Sequence, residues 1–306
     1  VIFVAGLSPA WQQIMEFEKC RWGEVNRAQA VHWCASGKVL NVAIAVHHLG
    51  ADTTVATAVG GPSGAAIVDE FDSFGIRKIF LDAGSPTRVC TTLLEDSGVT
   101  TELVENTDAM PSEVVEEFHD QFRTYSSVAN VSVLTGSMPS GVSDDYYARL
   151  IQQIPTETIL DFRGPGLLNC LPWGPFLVKP NREELSQTLE RPLNDETELV
   201  AAMRELNRRG AQAVVVSDGS KSLYITTEDL QYRLIPPQVE VVNPIGCGDC
   251  LAAGIATARC DGASLIDAVR FGMGAAAMNA GMLLPGRLDR ETVSELADQV
   301  EVEEVD

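Results

Sequence analysis

Short apolar runs alternate with amphipathic, helix-length segments along nearly the whole sequence, and that rhythm leaves few folds open. Strands joined through helices pair in parallel, so the pattern specifies an α/β chain whose sheet carries helices on its faces. The spacing predicts strands over 1–7, 53–59, 77–81, 89–94, 131–134, 159–162, 177–179 and 213–217. It predicts helices over 40–49, 65–74, 112–125, 144–153, 183–189 and 197–209. Residues 223–226, 232–235 and 239–242 read as a local antiparallel patch, and helices near 249–260, 265–281 and 291–300 follow. No linker, repeat or low-complexity stretch interrupts the rhythm, which points to one domain over 1–306.

Residues 11–35 and 87–105 depart from it. Both look extended, with no helix inside them, and are expected to form a small sheet covering one face of the main body. Residues 1–7 are apolar but short and lack a basic flank, so they read as a first buried strand rather than a signal peptide. No apolar run approaches the ~20 residues of a membrane span. Lys and Arg number 22 against 43 Asp and Glu, a net charge of −21 that repels phosphate backbones and anionic lipid. Neither nucleic acid nor a membrane surface is therefore expected as a partner, although a local pocket can still hold a small anion. Seven scattered cysteines, an odd number, fit reduced thiols in the cytoplasm.

The chemistry concentrates in Asn243-Pro244-Ile245-Gly246-Cys247-Gly248-Asp249-Cys250. A β-rich segment stops at Asn243-Pro244, and a Gly-x-Gly turn opens an alanine-rich helix. The glycines let backbone N–H groups approach a ligand, and the helix adds its positive end, so the segment can cradle an anion. Asp249 would then accept a proton from a nucleophile. The same residues could equally be a tight turn with Asp249 as a favourable charge at a helix start.

Asn-Pro-Ile-Gly-Cys-Gly-Asp at 243–249 resembles the C-terminal signature of the ribokinase-like (PfkB) carbohydrate kinases. Further blocks occur in the family's order: Asn26-Arg27 with Ser36-Gly37-Lys38-Val39-Leu40-Asn41-Val42-Ala43, then Thr87-Arg88-Val89-Cys90, then Thr135 to Gly141. Lys179-Pro180-Asn181-Arg182-Glu183-Glu184-Leu185 and Val215 to Gly219 complete the set. The blocks are most similar to the branch holding 1-phosphofructokinase and tagatose-6-phosphate kinase.

The resemblance implies a Rossmann-like, mostly parallel sheet with a small β-sheet lid, and ATP-dependent phosphorylation of a sugar hydroxyl. It makes Asp249 the general base and gives the N–H groups of Gly246, Cys247, Gly248 and Asp249 the charge of the transferring phosphoryl group. It implies that Asn181 and Glu184 organise Mg²⁺ through water; both also fit a helix capping box. Gln12, Arg27, Gly37, Lys38, Asn41 and Arg88 would face the sugar. Ser217, Gly219 and Asn279 would face the nucleotide. Arg27 and Arg88 can grip a substrate phosphate bidentately or serve as surface ion pairs. A monovalent cation and a homodimer formed through the lid are further expectations.

Departures from the branch fall at the sugar end. Gln12 stands where the branch has an Asp, and Ser36 and Val39 replace glycines. The expected substrate is a phosphorylated ketohexose, fructose 1-phosphate or tagatose 6-phosphate. Its rivals are a kinase for an unphosphorylated sugar or nucleoside, which leaves Arg88 and Lys38 nothing to neutralise, and a non-catalytic sensor, which needs no base. Cys247-x-x-Cys250 lacks a second pair and reads as small-residue substitution rather than a metal or redox motif. Gly272-x-Gly274 lies inside a helical pattern and suits close helix packing.

Overall fold

The strand Ile2–Ala5 (β1) is buried along its whole length, as a strand is at the centre of a sheet covered on both faces. The computed structural model describes residues 1–152 and 154–305. After β1 come β2 (Ala10–Phe17), β3 (Ala30–Ser36), α1 (Lys38–His48), β4 (Thr53–Val59), α2 (Gly61–Phe74), β5 (Arg77–Asp82), β6 (Val89–Glu95), β7 (Thr100–Val104) and α3 (Ser112–Ser126). Then follow β8 (Val131–Thr135), α4 (Tyr146–Ile151), β9 (Glu157–Asp161), α5 (Pro165–Cys170), β10 (Leu177–Val178), α6 (Arg182–Thr188), α7 (Glu196–Arg208) and β11 (Ala213–Ser217). The chain continues through β12 (Leu223–Thr226), β13 (Gln231–Ile235), α8 (Cys247–Cys260), α9 (Leu265–Ala280), α10 (Arg290–Asp298) and β14 (Glu301–Glu304).

Ten strands form one sheet in the order β14-β13-β12-β11-β10-β9-β8-β1-β4-β5. It is parallel from β11 to β5 and antiparallel from β11 outward to β14. Successive β1 side chains enter opposite cores. Ile2 and Val4 pack with α1, α2, α8, α9 and α10 on one face, while Phe3 and Ala5 pack with α3, α4, α5, α6 and α7 on the other. Strand order reverses around β1, which lies between β4 and β8. A crevice opens at the carboxyl ends of strands at such a point, the usual place for a ligand in this architecture.

The second sheet has the order β3-β2-β6-β7 and is built from the two stretches expected to lack a helix. Gln12 pairs with Cys90, and Thr92 with Glu102. Alternation along the strands therefore puts Gln12, Cys90, Thr92, Glu102 and Val104 on one face.

The antiparallel patch differs from expectation. Residues 239–242 form no strand, and Val241 and Val242 are exposed. Pro236-Pro237 ends β13 and offers no N–H for pairing. Its outer partner is instead β14, an acidic Glu-Val-Glu-Glu segment whose charge suits a sheet edge. The helix expected over 144–153 begins at Tyr146 and runs to Ile151, and Gln153 lies outside the described residues. The short helix α5, opened by Pro165, was not anticipated. Gly272 allows α9 to lie against α8, since a Cβ there would sit 2.7 Å from the Leu251 carbonyl oxygen. No helix among the described residues is long and apolar enough to cross a membrane.

Candidate active site

A cavity of about 540 Å³ lies between the carboxyl ends of the main strands and the small sheet. Gln12, Gly37, Lys38, Asn41, Arg88, Asn181, Glu184, Ser217, Gly219 and the 246–249 turn all line it. A second cavity of about 280 Å³ shares Ser217, Gly219 and Cys247 and runs under the 236–241 loop and α9.

The α8 start is held in a conformation that requires glycine. Gly246 is the N-cap at φ +84°, and a Cβ there would meet Pro285 at 2.7 Å. The first N–H groups of α8 have no intrahelical acceptor and open onto the cavity. Cys247 N–H is partly diverted, donating to the Pro244 carbonyl at 3.4 Å. Asn279, expected at the nucleotide, lines neither cavity and instead clamps this turn from behind. It is buried, its Nδ2 donates to the Ile245 carbonyl at 2.9 Å, and its Oδ1 accepts from Gly286 N–H at 2.9 Å. Both cysteines of Cys247-x-x-Cys250 rest on the same amide, with Cys250 buried. Burial pushes both thiols above their ordinary pKa, which suits packing more than reactivity.

Asp249 is buried at the cavity floor, and its Oδ2 accepts from Asn41 Nδ2 at 2.8 Å. Burial and the neighbouring charge of Asp161 push its pKa up to about 6, against the opposing pull of Lys38, the Asn41 hydrogen bond and Lys179. A carboxylate tuned near neutrality is suited to general-base work.

Asp161 and Lys179 were given no role by the sequence. Asp161 is buried at the end of β9, 3.0 Å from Lys38 Nζ and 3.2 Å from Lys179 Nζ. Burial alone would raise its carboxyl, yet the two ammonium groups hold it below the usual carboxylate range. Lys38, expected to face the sugar, is thus bridged between Asp161 and Glu184, the latter at 3.1 Å. Burial opposes its charge, but Asp161, Glu184 and Asp249 hold its pKa above the ordinary value.

Asn181 and Glu184 form a reciprocal capping box on α6. Asn181 Oδ1 accepts from Glu184 N–H at 2.8 Å, and Glu184 Oε2 accepts from Asn181 N–H at 2.9 Å. The other Glu184 oxygen still faces Lys38 and the cavity, so the capping role leaves it available to a ligand. Asp161 Oδ2 is buried with no hydrogen-bond partner. Among the described residues no three Cys, His, Asp or Glu side chains gather as a closed metal site. A water-rich divalent ion needs only one or two carboxylates plus substrate oxygens, and Glu184 and Asp161 meet that requirement.

Arg88 occupies the other end, on the small sheet. Its Nε and two terminal nitrogens donate to the Pro9, Ser8 and Glu105 carbonyls at 3.1–3.2 Å. Those bonds fix the guanidinium without neutralising it, since no carboxylate pairs with Arg88 among the described residues. Gln12 is buried and donates to Thr92 Oγ1 at 2.7 Å. Cys90, Glu102 and Val104, also given no role by the sequence, complete this wall. Arg27 is not brought to the site. It lies in the exposed loop between β2 and β3, whose turn Asn26 stabilises through Arg21 and Glu24, and it does not line the cavity.

The sequence matches the profile of the pfkB family carbohydrate kinases over residues 11–283. It is 31% identical over 315 residues to tagatose-6-phosphate kinase of Staphylococcus epidermidis, with 100% of each chain covered. Phosphofructokinase-2 from Escherichia coli in complex with fructose-6-phosphate superposes with a TM-score of 0.87 at 26% identity, covering 97% of this chain and 98% of that one. The same enzyme in complex with potassium gives 0.89 at 25% identity over the same shares.

Proposed function

This chain belongs to the pfkB family of carbohydrate kinases and is an ATP-dependent sugar kinase; from that premise we propose that its acceptor is a phosphorylated ketohexose. The observation that carries the reading is Arg88, a half-buried guanidinium fixed by three carbonyls, without a carboxylate partner among the described residues, lining the small-sheet end of the cavity. An unpaired cation in such a place is costly unless an anion completes it. A free sugar or a nucleoside supplies none. Tagatose 6-phosphate is the first candidate, after the Staphylococcus epidermidis relative, and fructose 1-phosphate the second.

Asp249 takes the proton of the accepting hydroxyl as that oxygen attacks the γ-phosphorus of ATP. The new O–P bond forms, the bond to the β-phosphate oxygen breaks, and ADP leaves. N–H groups of Gly246, Gly248 and Asp249, with Cys247 contributing less because of its bond to Pro244, hold the charge of the phosphoryl group in flight. Lys38 and Lys179 keep Asp161 ionised. Mg²⁺, when bound, neutralises phosphate charge, and Glu184 with Asp161, supported by Asn181, would hold it through water. Ser217 and Gly219 flank the nucleotide. A monovalent cation belongs to the same proposal, by likeness to the potassium complex of the Escherichia coli enzyme.

The small sheet would act as a lid that excludes water once sugar binds. Its exposed Trp22, Val25, Val31, Trp33 and Leu103 suit a second copy, giving a homodimer through the lid. The test of function is ATP consumption over a panel of phosphorylated and free ketohexoses and nucleosides. Preference for a ketohexose phosphate supports the reading; preference for a free sugar or nucleoside, or no turnover with any of them, contradicts it.

A further inference from the structure

Three carboxylates line the cavity and a fourth, Asp161, is buried beside it; three of these four are engaged. Asp249 accepts from Asn41, Asp161 is held by two lysines, and Glu184 is shared between its own helix cap and Lys38. Glu102 is the remaining one. It lines the cavity from edge strand β7, directly across from Thr92, and among the described residues its side chain makes no hydrogen bond or ion pair. Its neighbour on this wall, Gln12, is uncharged and tied to Thr92. Glu102 is exposed on this edge strand; partial loss of hydration against the wall raises its carboxyl above the ordinary pKa, and the charge of Arg88 pulls it partly back. The two residues thus share one corner without pairing.

A carboxylate left open beside a phosphate-binding cation would repel the phosphate unless hydrogen-bond donors lie between them. A sugar phosphate supplies those donors, with its phosphate on Arg88 and its hydroxyl-bearing carbons extending along the wall toward the reacting end. A carboxylate is acceptor-only and takes two adjacent hydroxyls at once. We propose that Glu102 is a specificity-determining residue whose carboxylate accepts hydrogen bonds from free hydroxyls of the sugar phosphate; this rests on the phosphorylated-ketohexose reading above. Because Glu102 sits on the small sheet, the contact also ties hydroxyl recognition to lid closure.

The experiment compares wild type, Glu102→Gln and Glu102→Ala on the ketohexose phosphate that wild type turns over best and on its mono-deoxy analogues. Gln keeps the size and removes the charge, and melting temperature checks that both variants fold. A hydrogen bond to a charged group corresponds to roughly a 10- to 100-fold effect. Glu102→Gln should lose that much kcat/KM on the parent sugar, yet no more than about threefold on the analogue lacking the contacted hydroxyl. KM for ATP should stay within about twofold. Equal losses on every analogue, or no loss on the parent, overturn the proposal. If wild type prefers an unphosphorylated sugar, the phosphate reading fails by itself, and the same deoxy comparison on that sugar decides Glu102 separately.

Discussion

The two ends of the cavity are built differently. At the phosphoryl end every group is held by another: Asn41 on Asp249, Lys38 and Lys179 on Asp161, the Asn181–Glu184 box on its own helix, and Asn279 behind the 246–249 turn. These side chains stand on the central strands and the helices packed against them, where burial raises the cost of any change. At the sugar end, Arg88 is anchored by backbone carbonyls and the Glu102 side chain, among the described residues, by no hydrogen bond or ion pair, on a four-stranded sheet with an exposed edge. The proposed division puts the phosphoryl chemistry on the buried central elements and the choice of substrate on the small sheet.

The sharpest way to break that comparison is to disarm the rigid end. Asp249→Asn should lower kcat by roughly 10²- to 10⁴-fold. The fold should not suffer, because the substitution removes a carboxyl whose pKa is raised to about 6 in the folded state. Such a group binds its proton more tightly folded than unfolded, so above that pH the ionised carboxylate costs stability and Asn relieves the cost. Thermal unfolding at pH 8 should give a melting temperature equal to or above wild type; a large drop would mean that Asp249 is mainly structural.

A milder perturbation is pH itself. Asp249 must be ionised to accept a proton, so kcat/KM should be level above about 6 and fall about tenfold per unit as pH drops below it. Asp249→Asn should lose this limb and keep a flat, low profile. A wild-type profile level down to pH 4 would take the base role from Asp249.

The smallest expected effect is at the α6 cap. Asn181→Ala removes the acceptor for Glu184 N–H and should cost about 1 kcal/mol of stability. It should also raise the Mg²⁺ concentration needed for half-maximal rate, because Glu184 loses the partner that orients it. Stability loss with an unchanged Mg²⁺ requirement would leave Asn181 a cap and nothing more.

Much of this arrangement was legible in the sequence, for reasons visible in particular residues. Gly246-x-Gly248 next to Asp249 is legible as a tight turn opening a helix, and Gly246 takes φ +84° beside Pro285, where a side chain is not tolerated. Asn181 and Glu184 are readable as a cap from spacing alone. Asp161, Lys179 and Glu102 were not, since each is a single charge at the end of, or within, a strand whose pattern says only that it is extended. The signal for Asp161 and Lys179 was available: a charge closing a buried parallel strand lies at the carboxyl edge of the sheet, the side on which the crevice opens. Arg27 shows the opposite failure, because a motif gives adjacency along the chain, whereas the β2–β3 loop carries this residue away from the cavity of its own chain. The strand β14 was missed because Glu-Val-Glu-Glu has the composition of a solvated segment, and only the open edge of β13 makes it a strand.

The separation of chemistry from substrate choice is tested most directly at Arg88. Steady-state kinetics of wild type and Arg88→Ala should be compared on tagatose 6-phosphate and on free tagatose. Removing one partner of a desolvated charge pair costs about 2–5 kcal/mol, which corresponds to roughly 30- to 5,000-fold. KM for the sugar phosphate should rise within that range, while KM for ATP changes little and kcat falls less, because the contact is made in ground and transition states alike. Free tagatose should lose almost nothing. An equal loss on both sugars, or a wild-type preference for the free one, would contradict the assignment of Arg88 to the substrate phosphate and the division of the site that follows from it.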